Sequence, residues 1–366
     1  MLGTRTTQSD GSPRAPSSPT LFTADKVFDV FVSRKMDVSP ESTYRVSMPL
    51  KYVDLFCGLG AFHEAFKNEF ECVMACDIDE GARRIYAANH GLVPAGDIRE
   101  LKEFPDFDIL CAGFPCQPFS VSGNGAGFAD EVRGNLFFEI LRIIDATTPE
   151  MCVLENVKNM KTHDGGRTYS RIQSELETRG YTVTSAVLNA AKYGSPQARE
   201  RLFIVACRHG GTFAMPDPPN VQRVVADIVE PSEPNIDLSR YVLRAKESDR
   251  RTPFKPRAIF DLVNPRTGNG GRQGERVYDP AATGVTVCAS SGGPGAKTGL
   301  YMIDGVVRRL TVLETKRMFG FPDTYAFEGT SEEKSLFYLG NSIVVDVARS
   351  FIPGIREYFR QKEAAA

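Results

Sequence analysis

Hydrophobic residues first fall into a regular pattern at residue 51. Lys51 to Cys57 (KYVDLFC) is a short apolar run that reads as a buried strand, Gly58 to Gly60 as a turn, and Phe62 to Phe70 as a helix with apolar residues three and four apart. The alternation continues: strand at Glu71 to Asp77, helix at Glu80 to Asn89, strand at Phe107 to Gly113, helix at Leu136 to Ala146, strand at Cys152 to Glu155, amphipathic helix at Thr168 to Arg179. Strand followed by helix, repeated, predicts an α/β fold with a mostly parallel sheet, helices on both faces, and ligands at the carboxyl ends of the strands. Val183 to Leu188 and Arg201 to Cys207 add two strands with no clear helix between them, which predicts an antiparallel edge.

The rhythm changes near Pro216. Residues 216 to 307 are rich in Pro and Gly, with short β-branched runs such as Gly284 to Cys288, and predict a second, smaller β-rich domain. Helical spacing returns at Thr311 to Phe319 and Asn341 to Phe351. The expected division is a disordered or non-core extension over 1–47, a Rossmann-like core over 48–229, the β-rich domain over 230–312, and helices over 313–366 that return to the core. The first twenty residues are nearly devoid of apolar side chains and cannot join a core.

Composition narrows this picture. The chain has 366 residues, 44 Lys and Arg against 46 Asp and Glu, and a net charge of -2, so it is not a protein that coats nucleic acid by bulk charge. A local basic patch remains possible. Arg240 to Arg276 carries ten Lys or Arg against four Asp or Glu, a balance that suits phosphate contact and equally a solvated face. None of the eight cysteines forms a Cys-x-x-Cys pair or a zinc-ligand cluster, so reduced thiols and no metal are expected. No apolar run is long enough to span a membrane, and the N-terminus lacks the apolar core of a secretory signal.

The candidate chemistry gathers at strand ends. Asp54 to Gly60 (DLFCGLG) places glycines where a strand turns into a helix, which suits a ligand or simply a tight turn. Asp77-Ile78-Asp79 ends the second strand, where a carboxylate can accept hydrogen bonds from ribose hydroxyls, and Gly96-Asp97-Ile98 repeats the pattern. Together these ends favour a nucleoside-containing cofactor. Gly113 to Ser120 (GFPCQPFS) runs off a buried strand with Cys116 between two prolines, a setting for a nucleophilic thiol. Glu155 ends another strand at the same rim, and Arg199 and Arg201 share one face where the next strand begins.

DLFCGLGAF, GDI, GFPCQPFS, ENV, QARER, RRLTVLETKRMFGFPDTY and LGNS stand in the order and approximate spacing of the DNA cytosine-5 methyltransferases, and the chain resembles that family, especially its bacterial restriction-modification branch, from Lys51 to Phe351. The resemblance implies S-adenosyl-L-methionine as cofactor. Phe56, Gly58 and Gly60 would line its adenosine and methionine portions, Asp77 would hold the ribose, Ile78 would pack on the adenine, and Asp97 with Ile98 would read the adenine edge. Pro115, Leu136, Asn341 and Ser342 would complete the pocket, with helix capping as an alternative role for the last two. Ala61 departs from the family, which usually has a further glycine there.

The implied reaction needs Cys116 to add to C6 of a flipped cytosine, Glu155 to protonate or hydrogen-bond N3, Arg201 to hold the base's polar edge and Arg199 to support the backbone. The segment GGRQGERVY is similar to the recognition loops of GCGC-modifying members, which implies Ser120, Ser122, Gln273 and Arg276 as DNA contacts. The expected partner is double-stranded DNA, bound by a monomer in the bacterial cytoplasm at the nucleoid, with a cognate restriction endonuclease acting on the same site; a nuclear or viral setting stays open. A tRNA cytosine-5 methyltransferase and a catalytically inactive DNA-binding regulator are the competing readings.

Overall fold

The computed structural model describes residues 49–115, 136–231, 235–246 and 252–365. The expectations for residues 1–47, for Cys116 and for Ser120 and Ser122 therefore lie outside the described residues.

Six strands form the first sheet: β1 (Lys51–Leu55), β2 (Glu71–Cys76), β3 (Ile109–Gly113), β4 (Met151–Val157), β5 (Thr182–Asn189) and β6 (Glu200–Cys207). Their order is β2-β1-β3-β4-β6-β5. The first four run parallel, whereas β6 pairs antiparallel with both β4 and β5. The antiparallel edge is the one the sequence predicts. Ten residues, 190–199, join β5 to β6, short of the dozen or more that a parallel crossover needs.

Side-chain alternation divides the core into two layers. Tyr52, Ile109, Cys111, Val153, Phe203 and Val205 face one way. They meet Phe62 and Phe66 of α1 (Ala61–Phe66) and Ile85 of α2 (Glu80–His90). Val53, Leu110, Ala112, Leu154, Leu202 and Ile204 face the other way, onto Ile140 and Ile144 of α3 (Leu136–Thr147) and Ile172 and Leu176 of α4 (Arg167–Thr178). These strands are covered on both faces, so they read as continuous apolar runs rather than as alternating ones. The α1 helix stops at Phe66, four residues before the sequence pattern suggests.

A second sheet has the order β11-β10-β9-β8-β7. It comprises β7 (Val242–Ala245), β8 (Ala258–Val263), β9 (Arg276–Tyr278), β10 (Leu300–Ile303) and β11 (Val306–Arg308). Gly284 to Cys288 is not one of its strands. That segment turns back to the first sheet, where Gly284 N–H donates to Pro196 O (2.7 Å) and Ala198 N–H donates to Gly284 O (2.9 Å).

The C-terminal region holds four helices where the pattern suggests two: α5 (Val312–Met318), α6 (Glu332–Asn341), α7 (Val345–Arg349) and α8 (Ile352–Ala365). Asn341 and Ser342 end α6 as its last residue and C-cap, so the N-capping alternative is excluded. Among the described residues no helix is long and apolar enough to cross a membrane.

Candidate active site

A cleft of about 760 Å³ opens over the carboxyl ends of β1, β2, β3 and β4. Its first wall is the turn after β1. Phe56 and Gly58 both adopt left-handed backbone (φ 55° and 51°), and Phe56, as a bulky residue, is strained there. The second wall hangs on Asp77. Its Oδ2 accepts from Gly58 N–H (2.8 Å) and its Oδ1 from Asp79 N–H (2.9 Å), so one carboxylate ties the two loops together. Burial nevertheless raises the Asp77 pKa. Between them Ile78 stands 68% exposed beside this polar rim, an apolar surface that invites a planar partner.

Asp97 caps the short turn at Ile98–Glu100 and is held below its ordinary pKa by hydrogen bonds from Arg99. Ile98, Pro115, Leu136, Asn341 and Ser342 complete the lining. Gly60 does not line the cleft. It is left-handed (φ 70°) and packs face-on against His90 and Tyr86; a β-carbon there would lie 2.6 Å from His90 Nε2. Its role is in the turn beneath the wall. Ala61, the departure from the family pattern, borders the cleft but buries its methyl in the core.

The reactive end of the cleft centres on Glu155. Burial raises its pKa, while Arg201 and Arg199 pull it down. Arg201 Nε stands 3.1 Å from Glu155 Oε1. A carboxyl group whose pKa burial raises holds its proton more firmly than a free one and can serve as an acid. Asn156 places the next segment: its Nδ2 donates to Phe114 O (2.7 Å), which fixes the chain just before Pro115 and hence before Cys116.

Arg199 stands near enough to Glu155 to act on its charge but directs its hydrogen bonds away from it. It is buried, and its guanidinium donates to Val287 O (2.8 Å), Gly340 O (2.9 Å) and Ser342 O (2.8 Å). Burial lowers its pKa to about 9. The side chain ties its own segment to the Val287 loop and to the end of α6, an arrangement suited to positioning.

Sequence reasoning missed Asp54, Phe337 and Tyr338, all in the cleft lining. An acid inside the apolar run KYVDLFC was the available signal for Asp54. Gln273 and Arg276 sit apart, exposed on a short turn and at the start of β9. Arg276 Nε donates to Gly271 O (3.0 Å).

Residues 50–357 match the family of C-5 cytosine-specific DNA methylases. The chain belongs to that family. The methylase is 40% identical over 309 residues to the Type II methyltransferase M.HhaI of Haemophilus parahaemolyticus, covering 81% of this chain and 91% of the relative. It is 35% identical over 336 residues to the Type II methyltransferase M.NgoBI of Neisseria gonorrhoeae, covering 86% and 99%. Among solved structures, the Dnmt2 methyltransferase of S. pombe superposes with a TM-score of 0.64 at 21% identity, covering 85% of this chain and 99% of that one, a likeness of fold. The methylase therefore transfers a methyl group to C5 of cytosine in DNA, with S-adenosylmethionine as donor.

The cleft suits that donor. S-adenosylmethionine carries an ammonium and a sulfonium, and the cleft presents Asp54, Asp77, Asp79 and Asp97. Asp54 is buried, its pKa pushed well up by burial and then by Asp77, and its Oδ2 has no hydrogen-bond partner. A buried acceptor without a partner costs free energy that a cationic ligand recovers.

Proposed function

We propose that this chain is the modification enzyme of a Type II restriction-modification system, methylating a specific duplex site as a monomer in the bacterial cytoplasm, with a separate endonuclease cutting the same site. The observation that carries the chemistry is the shared cleft. Glu155 and Arg201 border the same space as the acidic wall, and so does Pro115, the chain neighbour of Cys116.

Cytosine C5 is too weak a nucleophile to react unaided. Cys116 thiolate adds to C6, forming the S–C6 bond, while Glu155 gives a proton or hydrogen bond to N3, so that electron density moves to C5. Arg201 holds the base's polar edge and keeps the Glu155 carboxyl aimed. S-adenosylmethionine, bound along Asp54, Asp77, Ile78 and Asp97, supplies the electrophilic methyl group. Loss of the C5 proton then returns an electron pair to the ring, and the S–C6 bond breaks to free Cys116. Duplex stacking hides C5 and C6, so the cytosine must swing out into the cleft. Ser120, Ser122, Gln273 and Arg276 are the residues assigned to the DNA left behind, with a GCGC-like site as the specific expectation.

Expression in a methylation-free bacterial host followed by bisulfite sequencing tests the activity and the site together. Cytosine methylation confined to one sequence is expected; a folded protein that leaves none overturns the proposal. Cys116→Ser should abolish covalent trapping on duplex DNA carrying 5-fluorocytosine, and persistent trapping would mean a different nucleophile.

A further inference from the structure

The two banks of the cleft come from distant parts of the chain. One is the β2–α2 turn, Asp77 to Asp79; the other is the end of α6, Phe337 to Ser342. Among the described residues, the side-chain hydrogen bonds that cross between them all end on Asp79. Tyr338 Oη donates to Asp79 Oδ1 (2.6 Å), and Lys334 Nζ donates to Asp79 Oδ2 (3.3 Å). Asp79 Oδ1 also caps α2 by accepting from Ala82 N–H (3.0 Å). Burial would raise the Asp79 pKa, but the Tyr338, Ala82 and Lys334 contacts hold it below the ordinary aspartate value.

A second observation bears on the same contact. Gly81 lies in the first turn of α2, and glycine is a weaker helix former than alanine. A β-carbon at Gly81 would lie 2.2 Å from Tyr338 Oη. Only glycine leaves room for the tyrosine to reach Asp79, so a helix-weakening residue stands where the crossing contact needs it.

We propose that Tyr338 and Asp79, with Gly81 making room, form a latch across the mouth of the cleft that holds its two banks around the methyl donor. The proposal rests on the methyltransferase reading. Tyr338 is a positioning residue: it acts by fixing Asp79 and therefore the adjoining Ile78 and Asp77.

Calorimetric titration of the full-length protein with S-adenosylmethionine and with S-adenosylhomocysteine tests it. Tyr338→Phe removes one oxygen and keeps the ring; Gly81→Ala keeps every hydrogen-bonding group and displaces the tyrosine. Each should weaken binding of both ligands about 3- to 10-fold, the size of one lost hydrogen bond. The pair together should do little more than either alone, because both break the same contact. KM for the donor should rise by the same factor with kcat within about two-fold, the mark of lost ground-state binding. Asp79→Asn, which keeps an acceptor oxygen, should retain most of the affinity, whereas Asp79→Ser, which still caps the helix but is too short to reach, should not.

Each variant's melting temperature should stay well above the titration temperature, so that weaker binding is not explained by unfolding. A wild type that binds S-adenosylhomocysteine, with both variants matching it within about two-fold, overturns the latch and leaves the methyltransferase reading intact. A wild type that binds neither ligand overturns both.

Discussion

Of the cleft acids whose pKa burial raises, Glu155 and Asp54 answer to pH in different ways. In the proposed reaction Glu155 is the proton donor, so activity should fall as pH rises through its raised value. Arg201 stabilises the ionised form. Arg201→Met should therefore raise the Glu155 pKa further and move the alkaline limb of the kcat profile to higher pH, besides slowing the reaction by loss of its contact with the base. Glu155→Gln should cost about 10²- to 10⁴-fold in kcat, the usual range for a general acid, and abolish that limb. A limb unmoved in Arg201→Met would detach Arg201 from the acid.

Asp54 concerns stability instead. Its folded pKa lies well above the ordinary 3.8, so the folded chain holds this proton more tightly than the unfolded chain does. The contribution of this group to stability is accordingly full below the unfolded value and is lost as pH climbs toward the folded one. Asp54→Asn should raise the melting temperature at neutral pH, change it little at pH near 4, and weaken donor binding. Stabilisation without loss of affinity would mean that the buried carboxylate does not serve the donor.

At the scale of elements, Arg199 shows how the site is assembled from segments remote in sequence. It binds carbonyls of the loop at Val287, the end of α6 and its cap Ser342, beside the strand that carries Arg201. Arg199→Met should destabilise the protein by about 2–4 kcal/mol, because three buried carbonyls lose charged donors, and weaken donor binding through the α6 end. Urea denaturation and calorimetry would check both; Arg199→Lys, with one ammonium for three acceptors, should be intermediate.

Such joins were the part hidden from the sequence. The β-α alternation and the antiparallel edge were legible because each follows from local periodicity and connection length. The α6 helix was not, although Ser331 caps it and Glu332 and Glu333 occupy its first turn. Its apolar residues line a cleft as well as a core, so they make no clean stripe. Gly284 to Cys288 misled for a related reason: its β-branched pattern is real, but Gly284 pairs with Pro196 and Ala198 rather than with a strand of the second sheet. Arg199 and Arg201 look equivalent by spacing, and only burial separates a bracket from a reactive group.

For the molecule as a whole, the residues proposed for chemistry and those proposed for recognition occupy different sheets. Glu155 and Arg201 stand on β4 and β6, whereas Gln273 and Arg276 stand at β9 in the second sheet, within the stretch where positive charge is concentrated. Part of that charge is already matched internally: Lys246 pairs with Asp261 (3.1 Å) and Arg257 with Asp279 (3.0 Å). Arg276 is exposed, and its donation to Gly271 O in its own loop holds the guanidinium at the surface with donors to spare. Rate and specificity should therefore separate under mutation. Arg276→Ala should lose about 1–3 kcal/mol of discrimination at a single guanine while leaving cysteine trapping on the cognate site detectable, because it removes a base contact and no part of the reaction centre. Trapping assays against a panel of sites, each changed at one position, would read this directly. Relaxed selectivity at one position is expected; a uniform loss of binding across the panel would make Arg276 a phosphate contact, and the slope of log affinity against log salt should then fall by about one.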